Sequence, residues 1–381
     1  MISLHPVRAF VEDAHHALLE RASARCDARV ATLPRAMDDA SGREQARALV
    51  GVLGAERLLE PIFPLDLRGC VVMREVLARV SPLADEVFAL QALGTLPIFW
   101  RGSAALIERY ARPALAGAMM AAFAMTEPEA GSDVASLTTS ARRDGDTYVL
   151  HGSKTLISNA GIADFYVVFA KTDATAGARG ISCFVVPSDA PGLHFTRAQV
   201  LSAPHPLGEL SFAECRVPAD HLLGAEGEGF KLGMSTLDAV RTTVGAAATG
   251  MASRALEEAL AHVASRKQFG AALAEQQLVQ SRLAIMAVEL DAARLLVYRA
   301  AHERDSGAER VTLESAMAKL FATEAAQRII DSALQLFGGR GVLAESVVDG
   351  LYRSIRPLRI YEGATDVQYI VIARALLRGR D

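Results

Sequence analysis

Residues 229–270, "GFKLGMSTLDAVRTTVGAAATGMASRALEEALAHVASRKQFG", repeat apolar positions at helical spacing for about ten turns, and no Pro interrupts them. A helix that long cannot bury itself. Its many Ala residues favour close packing against other long helices, as in a bundle. Two further runs supply them: "EQQLVQSRLAIMAVELDAARLLVYRAAHERDSG" (275–307) and "LESAMAKLFATEAAQRIIDSALQLFGG" (313–339), each closed by Gly. The first run is expected to continue to Gly270, with Arg266 and Lys267 in its last turn, where cations complement the helix dipole.

The texture differs upstream. "DTYVLHGSKTLIS" (146–158) reads as two short strands joined through His151–Gly152–Ser153. "ADFYVVFAKT", "GISCFVVPSD" and "GELSFAECRVP" follow, each β-rich and bounded by turn residues. Before them, "VRAFVEDAHHALLERA" and "SAALIERYARPALAG" are helical again, separated by the Pro-interrupted "EPIFPLDLRG". The reading is α+β and mostly α. It comprises an all-helical N-terminal domain (1–118), a middle β-domain resembling a barrel (119–222) and a C-terminal helical bundle (223–381).

Composition narrows the function. A net charge of −4 provides no field for nucleic acid, and no apolar run approaches the ~18 residues that cross a bilayer. The N-terminus reads as an amphipathic helix rather than a secretory signal, so a soluble, cytoplasmic protein is expected. Cys26, Cys70, Cys183 and Cys215 have no paired spacing, which makes them buried small hydrophobes in this reading; no metal site is expected.

Four stretches carry more than packing. In "AMTEPEAGSD" (124–133), Pro128 and Gly131 break regular structure and free backbone N–H groups for a ligand, although composition alone allows an ordinary polar turn. "ASRKQFG" (264–270) and "LQLFGGRG" (334–341) each end a helix; the glycines of the second serve either a C-cap or a close approach to a nucleotide. "RIYEGATDVQ" (359–368) sets Glu362 between a ring and a residue without a side chain, an arrangement a solvated surface carboxylate does not need.

In order and spacing these stretches, with "GSKTLISNAGIADFYVVFAKTD", "ECRVPADHLLGAEGEGF" and "LDAVRTTVGAAATGMASRALEEALAHVASRKQFG", resemble the acyl-CoA dehydrogenase family from about residue 40 to the end. The resemblance implies a four-helix C-terminal bundle, FAD between it and the β-domain, and a homotetramer built as a dimer of dimers. It implies flavin contacts at Met125, Thr126, Leu156 and Ser158, with Ser158 at flavin N5, and places Ser132 near the FAD phosphates and CoA. Arg266, Gln268 and Phe269 match the segment that reaches a partner subunit's FAD; Gln277, Gln335, Gly338 and Gly339 match further FAD contacts. Asp238 and Arg241, one helical turn apart, match the pair that holds CoA, and Arg374 another substrate-side position. Glu362 matches the catalytic base, flanked by Tyr361 and Gly363 on the substrate side.

The implied reaction is removal of an α-proton by Glu362 and of a β-hydride by FAD, giving a trans-2-enoyl thioester, with electrons passed to an electron-transferring flavoprotein. Ile360 and Tyr361 are expected to dry the carboxylate and raise its pKa. Three positions depart from the family pattern. Leu156 stands where Trp is frequent, Ala364 where Thr is usual and Asp366 where Gln is common. The alternatives are an acyl-CoA oxidase, a dehydrogenase of carrier-bound acyl groups, a flavin monooxygenase of the same fold, and a non-catalytic scaffold.

Overall fold

The computed structural model describes residues 2–378; residues 1 and 379–381, the outer ends of the first and last expected domains, lie outside the described residues. The chain enters through a 3-10 turn, His5–Phe10, and helix α1, Asp13–Arg25. The single amphipathic helix expected over 7–22 is therefore broken. Glu12 is extended and caps α1, and His15 Nδ1 accepts from the Glu12 N–H at 3.0 Å, so local polar bonding outcompetes continuation of the helix. Helices α2 (Asp39–Ala55) and α3 (Leu67–Val80) begin at Asp38 and Asp66, whose carboxylates accept from Ser41 and Gly69 N–H groups at 2.8 Å. Helix α4 is Pro82–Arg101, and α5 (Ala104–Leu106) and α6 (Arg112–Leu115) flank a π-helical turn, Ile107–Ala111.

Seven strands form one curled sheet: β1 Ala121–Ala124, β2 Ser140–Asp144, β3 Thr147–Ser158, β4 Phe165–Lys171, β5 Ile181–Pro187, β6 Leu193–Ala198 and β7 Leu207–Pro218. Their order is β1-β4-β2-β3-β7-β6, with β5 antiparallel to β4. Along β4 the side chains alternate: Tyr166, Val168 and Ala170 enter one apolar cluster, Phe165, Val167 and Phe169 another. Both faces of that strand are thus buried, as its unbroken apolar run requires. The two strands expected within 146–158 are one. Gly152, at φ +145°, and register shifts at Leu150/Gly152 and Lys154/Ile157 let β3 bend against β7 without breaking.

Helices then return: α7 Gly229–Ser265, α8 Gln277–Asp305, α9 Thr312–Phe337, α10 Val347–Ile355 and α11 Thr365–Arg378. Helix α7 stops at Ser265, five residues before the expected end. Lys267–Gln268 (β8) instead pairs with Ala271–Ala272 (β9) across Phe269 and Gly270, both at positive φ, as a two-residue hairpin turn demands. Arg266 and Lys267 consequently lie beyond the helix. Small residues bring α7 close to its neighbours: a Cβ at Gly245 would meet Val297 Cγ2 at 2.7 Å, and one at Gly250 the Glu75 carbonyl oxygen at 2.3 Å.

By internal contacts the chain forms two compact units. One is Met1–Thr32, Asp66–Asp85 and Val240–Asp381; the other is Leu33–Leu65 and Glu86–Ala239. The four cysteines are buried, and none is joined in a disulfide. Among the described residues no helix is long and apolar enough to cross a membrane.

Candidate active site

In the first unit the chain leaves α10 through a 3-10 turn, Arg356–Arg359, and reaches α11 by a short loop. Two consecutive residues of that loop, Glu362 (φ +53°) and Gly363 (φ +94°), adopt left-handed backbone, which costs a non-glycine residue about 1–2 kcal/mol. Donors from three helices hold it. Lys319 Nζ donates to the Gly363 carbonyl at 2.7 Å, Gln368 Nε2 to the same oxygen at 3.0 Å, and Arg241 Nε to the Glu362 carbonyl at 3.2 Å. Arg359 Nε and Thr365 Oγ1 both donate to Glu324 Oε1 at 2.7 Å and pin the loop's two ends. A Cβ on residue 363 would stand 2.2 Å from Gln368 Nε2. Gly363→Ala is therefore expected to cost about 1–3 kcal/mol, seen as a lower thermal midpoint, with the loop donors partly displaced.

Glu362 is half-buried as a residue, but its Oε2 is buried without a hydrogen-bond partner. Burial pushes the carboxyl above the usual carboxylate range; the charges of Arg74, Arg241 and Lys319 oppose this without reversing it. The opposition is weak for a geometric reason. Arg74 is already committed: its Nε and Nη2 donate to the two oxygens of buried Asp85 at 2.7 and 2.8 Å, and its Nη1 to Thr243 Oγ1 at 2.9 Å. Lys319, itself buried, is pushed down to about 8 by desolvation, with Glu362 pulling the other way. The result is a carboxyl with one free oxygen, poised to take a proton.

In the second unit the loop after β1 is clamped by a buried ion pair. Lys154 Nζ donates to Glu127 Oε1 at 2.8 Å and to the Met125 carbonyl at 3.0 Å. Glu127 also accepts from Thr138 and Thr139 N–H groups at 2.6 and 3.0 Å. Burial raises the Glu127 pKa, but Lys154 and these donors outweigh it and hold the carboxyl at about 2. Met125 is buried, Thr126 half-buried with its carbonyl bonded to Thr155 N–H, and Ser132 exposed. At the β3 bulge Leu156 takes φ +54° and turns outward, 54% exposed. Two residues on, the Ser158 hydroxyl lies 2.7 Å from His205 Nε2, and His205 Nδ1 lies 2.5 Å from Glu86 Oε2.

Among the residues singled out in the sequence, Tyr361, Glu362 and Gly363 share one loop, which Arg241 braces through the Glu362 carbonyl; Met125 and Thr126 follow β1, and Leu156 and Ser158 lie at the end of β3. Asp238 and Arg241 are both half-buried on α7. Arg266, Gln268 and Phe269 occupy the exposed β8–β9 hairpin, and Gln277 opens α8. Gln335, Gly338 and Gly339 lie exposed where α9 ends, beside the end of α7 through a His262–Phe337 ring stack at 4.2 Å. Arg374 is exposed on α11. Sequence reasoning passed over Arg74, Asp85, Glu86, Glu127, Lys154, His205 and Lys319. The available signal was a charge inside an apolar period, as in "CVVMREVLARV" and "AMAKLFATEAA".

Known proteins share this architecture. Residues 122–215 match the model of the acyl-CoA dehydrogenase middle domain, and residues 227–377 that of the acyl-CoA dehydrogenase C-terminal domain. A probable acyl-CoA dehydrogenase, FadE25, of Mycobacterium tuberculosis is 42% identical over 81% of this chain and 80% of its own length. Cyclohexane-1-carbonyl-CoA dehydrogenase of Geobacter metallireducens is 37% identical over 89% of this chain and 91% of its own. The solved structure of butyryl-CoA dehydrogenase from Megasphaera elsdenii superposes with a TM-score of 0.90 at 32% identity, covering 97% of this chain and 99% of that one. With two family models and relatives of this identity along most of its length, the chain belongs to the acyl-CoA dehydrogenase family of oxidoreductases.

Proposed function

We propose that the enzyme desaturates an acyl-CoA thioester to its trans-2-enoyl product, with Glu362 as the base that removes the α-proton. The observation that carries this reading is the Glu362 carboxyl itself: one oxygen buried and unpartnered, pKa raised, on a loop braced through its backbone rather than through the side chain. A base is most effective when its pKa approaches the operating pH, and burial moves Glu362 in that direction. The strained backbone aims the side chain and leaves the Glu362 N–H to donate to a thioester oxygen as negative charge develops there. Arg241 serves both ends, bracing the loop and, with Asp238, facing CoA.

FAD fits the residues present. Leu156 offers an uncovered aliphatic surface beside Ser158, of the kind a flat ring system covers, and open space stands where a Cβ would lie at Gly131, Gly338 and Gly339. Backbone N–H groups at such positions are accessible to phosphate oxygens. Met125, Thr126, Leu156 and Ser158 would hold the ring system. Ser132, Gln277, Gln335, Gly338, Gly339 and the hairpin residues Arg266, Gln268 and Phe269 would hold the remainder, in part on a neighbouring subunit. Bound FAD supplies the hydride acceptor, which no side chain replaces. Phe269 at 97% exposure and Leu278 at 82% are apolar side chains that a neighbouring subunit would cover in the homotetramer reading. The three-domain division and an electron-transferring flavoprotein as acceptor belong to the same proposal.

A panel of straight, branched, cyclic and aryl acyl-CoAs mixed anaerobically with the purified protein tests it. At least one class should bleach the flavin within the dead time or seconds. A colourless protein, or a yellow one that no acyl-CoA bleaches, overturns the reading.

A further inference from the structure

A buried ion pair in the first unit precedes both matched domains and belongs to none of the stretches that carry the family resemblance. Arg74 lies on α3 and Asp85 in the first turn of α4, at 1% and 0% exposure. Arg74 Nε and Nη2 donate side-on to the two Asp85 oxygens at 2.7 and 2.8 Å, a fork that needs both oxygens as acceptors. The guanidinium keeps its charge, and the first turn of a helix favours a negative one, so the pair is ionic. The remaining nitrogen, Nη1, donates to Thr243 Oγ1 at 2.9 Å. Thr243 stands two positions along α7 from Arg241, whose Nε holds the Glu362 carbonyl. The pair is thus tied to the helix that braces the base. Arg74 exerts the largest pull toward ionisation on the Glu362 carboxyl, Arg241 and Lys319 add to it, and Asp85 opposes it.

We propose that Asp85 is a positioning residue for the reaction, which pairs side-on with Arg74 to offset its charge and keep it from the unpartnered Glu362 Oε2, so that Glu362 stays a strong base. The proposal rests on the reading of Glu362 as the base. An uncompensated cation near a carboxylate lowers its pKa by about 1–3 units, and a weaker base removes a proton more slowly. The other charges around Glu362 are already engaged. Arg241 and Lys319 donate to the carbonyls of residues 362 and 363, and Arg359 pairs with Glu324 at the loop's end. Asp85 is the one anion among the charges of α3, α4, α7 and α9 that bear on the carboxyl.

Asp85→Asn keeps the shape and one acceptor for the guanidinium but removes the charge. In anaerobic flavin bleaching followed against pH, its acid limb should fall by about one unit or more. One unit below the wild-type midpoint, the ionised fraction of Glu362 should therefore rise about fivefold, while the plateau rate drops. Arg74→Gln should move the limb upward, and the double variant, which strands no charge, should return it to within about 0.3 unit of wild type. The comparison is read below the range near 8 where Lys319 loses its charge. The ¹³C carboxyl resonance of Glu362, assigned by its absence from Glu362→Gln, should titrate in the same order, a readout that needs no turnover. If Asp85→Asn does not fold, Arg74→Gln against the double variant carries the same test. A midpoint that stays in place in a single variant, or moves the same way in both, overturns the proposal; a merely structural pair would cost stability and leave the midpoint alone. Bleaching by Glu362→Gln at the wild-type rate would instead end the reading of the base, and the carboxyl titration would still decide the charge balance.

Discussion

Glu362→Gln is expected to yield a yellow protein that binds acyl-CoA yet bleaches its flavin about 10²–10⁴-fold more slowly than the wild type. The amide preserves the loop, because Arg241, Lys319 and Gln368 grip the carbonyls of residues 362 and 363 rather than the side chain. Anaerobic stopped-flow absorbance is the measurement, and reduction within tenfold of wild type would remove Glu362 from its role. The same variant should be more stable than the enzyme it came from. A carboxyl whose folded-state pKa is raised favours the protonated form, so its ionisation lowers stability as pH climbs from the unfolded value through the folded one. Glu362→Gln removes that cost. Its thermal midpoint should exceed the wild type's at pH 7, and the difference should vanish below about pH 4, where both states are protonated. A gain in stability with a loss of rate is the expected signature of a strained functional group.

Lys154→Met is expected to cost about 3–5 kcal/mol of stability, because it strands the Glu127 carboxylate in a buried site. Urea denaturation at pH 7 reads the loss. Glu127→Gln with Lys154→Met should recover much of it, since no unpaired charge then remains. The pH dependence follows from Glu127, whose pKa is depressed to about 2. Its contribution is complete above about pH 4.3, the unperturbed glutamate value, and is lost as pH falls toward 2. The double variant should show a flatter acid limb. Because Lys154 also holds the Met125 carbonyl, the single variant should release its flavin on dilution sooner than wild type.

The α–β–α order was legible because helical and strand periods are written within a few residues. The elements that departed from the reading did so where a local choice was close. Lys267 and Gln268 suit a helix, yet Phe269–Gly270 turns them into a hairpin; Glu12 and His15 satisfy each other and split a helix that apolar spacing alone would continue. Gly152 was read as a break between strands, but a β-bulge accommodates the same flexibility inside one strand.

The chemistry divides along the same line. Glu362, and the glycine beside it, stood out within ten residues of sequence, because a carboxylate between an aromatic ring and a bare backbone is itself a local pattern. What gives that carboxylate its properties is not local. Lys319 lies 44 positions from the carbonyl it holds and Arg241 lies 121, while Ser158 and His205 are 47 apart. Periodicity records which face of an element is apolar, a short-range property. Whether a charge on that face meets a partner depends on which distant segment packs over it, and burial then sets the price of leaving it unpaired. The residue types and the motif were thus determined along the chain, and the electrostatics that make them a site arose only in the tertiary fold.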